Sequence, residues 1–253
     1  MIALSVNLNK IALIRNSRDT TNPSVPDHAQ LCIDAGADGI TVHPRPDQRH
    51  IRAQDCFELA QMLSVEFNIE GNPFTGPRKS ERKGVSDYPG FMALVREIRP
   101  AQCTLVPDAD GQLTSDHGFD LTRDGDRVAP LVAELKSLGI RTSLFMDPDP
   151  EQIRLAAQTG TDRIELYTES YAEACKSGRD VDEVFARFVT AAEVAATEGL
   201  GLNAGHDLDL DNLPLFATVP GLLEVSIGHA LTVDAIRMGL ANAVAAYQQA
   251  LGK

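Results

Sequence analysis

Residues 3–18 read ALSVNLNKIALIRNSR. The first five form a short β-prone run that closes on a polar residue, Asn7. Residues 8–18 contain no glycine. A doubly wound dinucleotide-binding sheet wants a glycine-rich turn here, so that backbone can approach a pyrophosphate closely. Its absence favours the other large parallel architecture, a closed barrel. The rest of the chain repeats the design. Further β-prone runs lie at 39–43, 66–70, 102–106, 141–145, 163–167, 201–205 and 223–228, which makes eight in all. Helical periodicity fills 28–37, 54–65, 90–98, 128–140, 151–160, 181–200 and 213–221, and a long closing helix is read over 232–252. Gly36, Gly139, Gly160 and Gly199 stand where helices end before the next run, as C-caps do. Strands buried on both faces and alternating with helices specify a parallel sheet. Eight such units predict an α/β fold of the (β/α)8 TIM-barrel type, as a single domain over 1–253.

Composition narrows the function classes. With a net charge of -13, the chain is a poor general binder of nucleic acid, because phosphate contacts need Lys and Arg. Nor does it favour an anionic membrane surface. The opening MIALSVNLNK turns polar too early for a signal peptide, and no apolar run approaches the roughly 18 residues of a membrane span. A cytoplasmic location is expected. Cys32, Cys56, Cys103 and Cys175 are scattered without CxxC spacing, so reduced thiols are expected and a cysteine zinc site is not. The basic, Gly/Pro-rich stretch 75–90, TGPRKSERKGVSDYPG, reads as a solvated loop after the third strand.

Catalytic groups of a barrel sit at the C-terminal ends of its strands. The first strand delivers Asn7, Asn9 and Lys10; the second His43, Arg45, Arg49 and His50; the third Glu70. The fourth runs into Asp108 and a polar loop with Thr114, Ser115 and His117. The sixth carries Glu165, the seventh His206, the eighth Gly228 and His229. His43, His50, His206 and His229 thus converge on one rim. Glu70 closes an apolar strand, where partial burial raises a carboxyl pKa and suits it to general acid/base work. Glu165 lies inside its run; the bland alternative there is an ion pair with a neighbouring arginine. Gly228-His229 after the eighth strand suits an anion at a helix N-terminus. Arg45, Arg49 and His50 could hold a second, and Arg15 and Arg18 would reach the mouth if the first loop folds back.

The segments VNLNKIALIRNSR (6–18), DGITVHPRPDQRHI (38–51), FNIEG (67–71), TLVPD (104–108), DRIELYTE (162–169), LNAGHD (202–207) and EVSIGHA (224–230), in this order, resemble the pyridoxine 5'-phosphate synthase family from end to end. The resemblance implies a barrel with extra helices, an octamer built from dimers, and no metal or organic cofactor. It implies condensation of 3-amino-2-oxopropyl phosphate with 1-deoxy-D-xylulose 5-phosphate, giving pyridoxine 5'-phosphate, phosphate and water. By position, Asn7, Arg18, Gly228 and His229 resemble contacts to the aminooxopropyl phosphate. Arg45, His50 and Thr114 resemble contacts to the deoxyxylulose phosphate. His43 and Glu70 resemble proton acceptors, His206 a proton donor, and Glu165 a stabiliser of positive charge. A lid is expected around 108–120. The sequence departs from the family pattern at Asn9-Lys10, where the pattern has Asp-His, and at Asp207 and His117, where it has Gly. The 75–90 insertion is also longer. Asn9, Lys10 and Asp207 therefore stay as binding candidates. Three other readings stay open on the sequence alone. A metal-dependent hydrolase would want His-x-His where Asn7-Leu8-Asn9 stands. A Schiff-base aldolase would have only Lys10. A binding scaffold would need none of the four acid/base residues.

Overall fold

A computed structural model describes residues 1–18 and 20–253. Strands β1 (Ala3–Asn7), β2 (Gly39–Val42), β3 (Glu66–Gly71), β4 (Gln102–Leu105), β5 (Arg141–Met146), β6 (Arg163–Tyr167), β7 (Gly201–Gly205) and β8 (Leu222–Ile227) pair in parallel and in sequence order. β8 returns to β1 through Ala3↔Glu224 and Val6↔Ile227, which closes the barrel. All eight predicted strands form. Their ends shift by a residue: β2 stops at Val42 and β8 at Ile227, so His43 and Gly228 begin the loops instead of ending the strands.

The helices α1 (Asn9–Asn16), α2 (Val25–Asp34), α3 (Ala53–Met62), α4 (Phe91–Ile98), α5 (Leu121–Ser137), α6 (Pro150–Gln158), α7 (Glu169–Ser177), α8 (Val181–Thr197), α9 (Leu213–Phe216), α10 (His229–Met238) and α11 (Leu240–Ala250) surround the sheet. Seven crossovers join the eight strands and one helix follows β8, so α1, α7 and α11 are the extra ones. Two sequence expectations change here. The segment after β1 is a helix, not a loop. The closing helix breaks in two at Gly239, whose φ of 85° and ψ of 149° end α10 and start α11. An L-residue is strained at that φ, so glycine sets the break.

Each strand alternates in a way that decides where the core lies. Leu4 and Val6, Ile40 and Val42, Leu144 and Met146, and Ile164 and Leu166 point outward and pack with the helices in one continuous apolar cluster. Their neighbours point into the lumen, and these are polar. Ser5, Thr41, Asn68, Gln102, Thr104, Ser143, Glu165, Asn203 and Glu224 are all buried. Barrel lumens are usually filled by branched aliphatic side chains. Here hydrogen bonds replace most of them, although Ser143 Oγ has no partner and Phe145 is an apolar exception. Ser5 and Thr41 meet at 2.7 Å, Thr104 Oγ1 donates to Asn68 at 3.1 Å, and Asn203 Nδ2 donates to Gln102 at 3.3 Å. At the floor Arg163 donates to Asn203 at 3.0 Å and to Glu224 at 3.3 Å. A half-satisfied network would be worse than an apolar core, so the matching of donors to acceptors is what this lumen depends on.

Two further features frame the mouth. The 75–90 segment does follow β3 and is mostly exposed, but it is fastened. Arg78 and Tyr88 form an antiparallel bridge, and the buried Tyr88 hydroxyl donates to Pro44 O at 3.3 Å. Arg15 does not face the mouth. It is 5% exposed and donates to both carboxylate oxygens of Asp55, at 2.5 and 2.9 Å, and to His50 O at 3.1 Å. With Asn16, whose Nδ2 donates to three carbonyls of residues 48–50, it ties α1 to the loop that carries Arg45 and His50. Removing one partner of a buried ion pair costs about 3–5 kcal/mol. Arg15→Ala should therefore lose about that much in a urea titration, and the double change Arg15→Met with Asp55→Leu should recover part of it. An unshifted midpoint in the single variant would show that the pair carries no stability.

Candidate active site

The C-terminal ends of the strands surround a cavity of about 520 Å³. It is lined by Asn7, Asn9, Lys10, His43, Arg45, His50, Glu70, Thr114, Glu165, His206, Asp207, Gly228 and His229. Of the mouth residues expected from sequence, Arg18, Arg49, Asp108 and His117 are not part of this lining. Arg18 is exposed. A second cavity of about 610 Å³ opens beside α1 and α3. Its Asp55 is occupied by Arg15, and it holds none of the strand-end imidazoles.

At the centre His43 stands between two carboxylates. Its Nδ1 is 4.0 Å from Glu70 Oε2, and its Nε2 is 3.6 Å from Asp108 Oδ2. The Asn9 side-chain oxygen accepts the His43 backbone N–H at 2.9 Å, so Asn9 is committed to shaping this turn. Burial, reinforced by Arg45, His50 and Arg49, holds His43 well below the usual imidazole range, so the ring is neutral. Glu70 moves the other way. Burial, then the charges of Glu165 and Asp108, pushes its carboxyl well above the ordinary value. Asn7 and Asn68 reach it only at 3.5 Å.

Glu165 sits deeper, 4% exposed, with Thr104 Oγ1 at 3.4 Å. The arginine pair considered for it belongs to another residue: Arg163 points down to Glu224, not to Glu165. Burial and the Glu224 charge raise the Glu165 carboxyl. Glu224 itself is raised by burial.

Two further corners of the cavity are distinct. Arg45 donates to Gln112 O at 3.1 Å and forms a tight ion pair with Asp108. Burial and these arginines lower His50 to about 3. Its Nδ1 accepts the Ile51 backbone N–H at 2.9 Å, which assigns the ring hydrogen to Nε2. On the other side, α10 begins at His229 with no side-chain cap, so its first N–H groups are free for an anion. A Cβ at Gly228 would sit 3.0 Å from the Asn7 side chain, so that position stays glycine.

The loop after β4 crosses the mouth. Thr114 Oγ1 lies 2.8 Å from His206 Nε2, and Ser115 Oγ donates to Asp108 at 2.9 Å. His206 Nδ1 is 2.6 Å from Asp207 Oδ2, and its ring meets Tyr167 edge-on at 5.0 Å. The sequence places Asp108 after the fourth strand without giving it a role. The structure buries it to 4% exposure against Arg45, Ser115 and His43, and leaves Oδ1 without a hydrogen bond. Glu169 and Glu173 of α7 also line the cavity, and sequence reasoning missed them because they follow an extra helix start.

Fold and site together define a class: a (β/α)8 barrel whose mouth gathers buried carboxyl and imidazole groups beside a buried arginine and an uncapped helix start. Within that class the chain belongs to the family of pyridoxal phosphate biosynthesis protein PdxJ, whose model matches residues 4–253. It is 56% identical over 248 residues to the pyridoxine 5'-phosphate synthase of Xanthomonas campestris pv. campestris (strain B100), covering 96% of this chain and 94% of that protein. It is 53% identical over 248 residues to the protein of the same name from Xylella fastidiosa (strain M23), covering 96% and 92%. Among solved structures, the 4-hydroxy-2-oxoglutarate aldolase/2-deydro-3-deoxyphosphogluconate aldolase from TTHB1 superposes with a TM-score of 0.62 at 12% identity, covering 98% of this chain and 94% of that one. The Amycolatopsis orientalis BexX/CysO complex gives 0.59 at 14%, covering 99% and 88%. At such identities these two share the fold alone.

The buried carboxyls make stability depend on pH. Glu165 has a folded-state pKa raised above its unfolded value of about 4.3, so the folded chain binds the extra proton in between. Its contribution is complete below that unfolded value and is lost as pH rises through the raised one. Glu165→Gln removes the loss. Thermal melts of the variant should therefore lie above those of the parent at about pH 9 and converge with them near pH 5, at about 2–4 °C per kcal/mol. Parallel curves would mean that Glu165 stays ionised in the fold.

Proposed function

We propose that this chain is a pyridoxine 5'-phosphate synthase, condensing 3-amino-2-oxopropyl phosphate with 1-deoxy-D-xylulose 5-phosphate to pyridoxine 5'-phosphate, phosphate and water. One observation carries the reading: His43, Glu70, Glu165 and His206 line a single cavity that also holds Gly228-His229 and Arg45-His50. Two phosphates and several proton transfers are what this condensation demands.

The residues divide the work by their surroundings. The uncapped start of α10, with Gly228, His229 and Asn7, receives the aminooxopropyl phosphate. Arg45 and the Nε2–H of His50 receive the phosphate of the deoxyxylulose, with Thr114 closing over it and Lys10 adding positive charge. Arg45 is held by Asp108 until then, so the arriving phosphate competes with a carboxylate. Arg18 takes no part from within this chain's own cavity. Amine addition, dehydration, phosphate loss and ring closure each move a proton. Neutral His43 accepts protons. Glu70, a weak acid raised toward neutrality, accepts them when ionised and does so more strongly than an ordinary carboxylate. His206 donates. Glu165, when it ionises below the reacting atoms, balances developing positive charge. The loop after β4 serves as the lid that excludes water. The chain works as one domain over 1–253, in the cytoplasm and without metal or organic cofactor.

The test is a reaction with both substrates, the aminooxopropyl phosphate being generated in situ, in which phosphate and pyridoxine 5'-phosphate are followed together. Both should appear in step, and Glu70→Gln and His206→Ala should each lower the rate by about 10²–10⁴-fold. No product from a folded protein would sink the reading. We also propose an octamer built from dimers. Light scattering on the full chain should return about eight times its 27.3 kDa, and a stable monomer would reject the assembly.

A further inference from the structure

His206 and Asp207 both occupy the left-handed region, with φ of 84° and 58°. For residues other than glycine this costs about 1–3 kcal/mol each and persists only where the surroundings enforce it. The surroundings are explicit. Thr168 Oγ1 reaches the carbonyls of Gly205, at 2.8 Å, and of His206. Asn212 Nδ2 donates to Asp207 O at 3.1 Å. This tight reversal turns the Asp207 side chain back along the strand end, so its Oδ2 stands 2.6 Å from His206 Nδ1. We infer that Asp207 is a positioning residue: its carboxylate takes the Nδ1 hydrogen of His206 and leaves Nε2 as the nitrogen that exchanges protons in the cavity. The inference rests on the reading of His206 as the proton donor and deepens it.

Three observations carry it. First, both ring nitrogens have partners and the ring packs against an aromatic neighbour. Nδ1 faces Asp207, Nε2 faces Thr114 at 2.8 Å, and the face is set by Tyr167, whose hydroxyl donates to Glu169 at 2.5 Å. Second, the Asp207 carboxylate is directed to the imidazole. That lessens, without removing its charge, the conflict which a carboxylate next to an anion site would otherwise create. Third, the chemistry is general. A carboxylate on one imidazole nitrogen selects the tautomer and stabilises the imidazolium that the other nitrogen needs in order to donate. The hydrogen bond from His206 also holds the Asp207 carboxyl below its usual range. The other charged groups around the pair are Lys10 from α1, Glu165 from β6, Glu169 and Glu173 from α7, His229 from α10, and Asp116 on the loop after β4.

Two variants test the assignment, and both residues accept a left-handed φ, so both should fold. Asp207→Gly removes the carboxylate. Asp207→Asn keeps an acceptor oxygen but not the charge. Nitrogen-15 NMR of histidine-labelled protein should show neutral His206 protonated on Nδ1 in the parent and in Asp207→Asn, and shifted toward Nε2 in Asp207→Gly. With both phosphorylated substrates, Asp207→Gly should lower kcat by about tenfold while each KM stays within about twofold. A parent His206 protonated on Nε2, or a raised KM with unchanged kcat, would overturn the assignment. Should His206→Ala retain full kcat, the donor reading falls with it, yet the tautomer in the parent still reports the pair, so the two failures are separable.

Discussion

The interaction on which the structure depends is the placement of Glu70, Glu165 and Glu224 in one buried lumen with cations only at its two ends. Arg45 sits above, engaged with Asp108, and Arg163 sits below, engaged with Glu224. Among the described residues, neither Glu70 nor Glu165 has an arginine or lysine within ion-pair distance. Full ionisation of all three would leave buried charge uncompensated, which is the most expensive arrangement an interior can hold. The chain meets this by keeping the upper carboxyls protonated, and by surrounding them with amides and hydroxyls that can give or accept a hydrogen. The polar lumen is therefore not a defect in a barrel core. It is the medium that keeps two weak acids weak.

That requirement explains the division of labour between the sheet's two faces. The outward face and the helices form the apolar core and carry the hydrophobic driving force. The inward face carries chemistry and is rigid because every strand contributes one or two members of the network. Functional groups at the rim inherit this rigidity. His43 is placed by the Asn9 side chain, and His50 by the Arg15–Asp55 pair behind it. Positions that look like substrate contacts on a sequence are in part the supports of other contacts.

The sequence showed the barrel well because alternation is a local property. ALSVN and RIELY state in their own letters which side chains face out. The rim was legible for the same reason: residues just past a strand must point at the mouth. What was not legible depended on distant partners. The buried role of Arg15 required knowing that Asp55, forty positions away, would meet it. The alternative of an arginine pair for Glu165 is not met, because Arg163 and Glu165 share a strand face but point toward opposite ends of the lumen. Asp108 looked like one more acidic loop residue until the fold closed it over His43. The break at Gly239 was hidden because a single glycine inside an apolar periodic stretch does not announce whether it is tolerated or used.

The bond between Thr114 and His206 joins the loop after β4 to the far strand β7. While it lasts, the nitrogen that would deliver a proton is already occupied by a hydroxyl of the protein. A bound substrate has to take the threonine's place before the imidazole can act. On the proposed reading of His206 as donor, occupancy and proton delivery are interlocked: a reactive intermediate meets a free donor only once it fills the space beneath the loop.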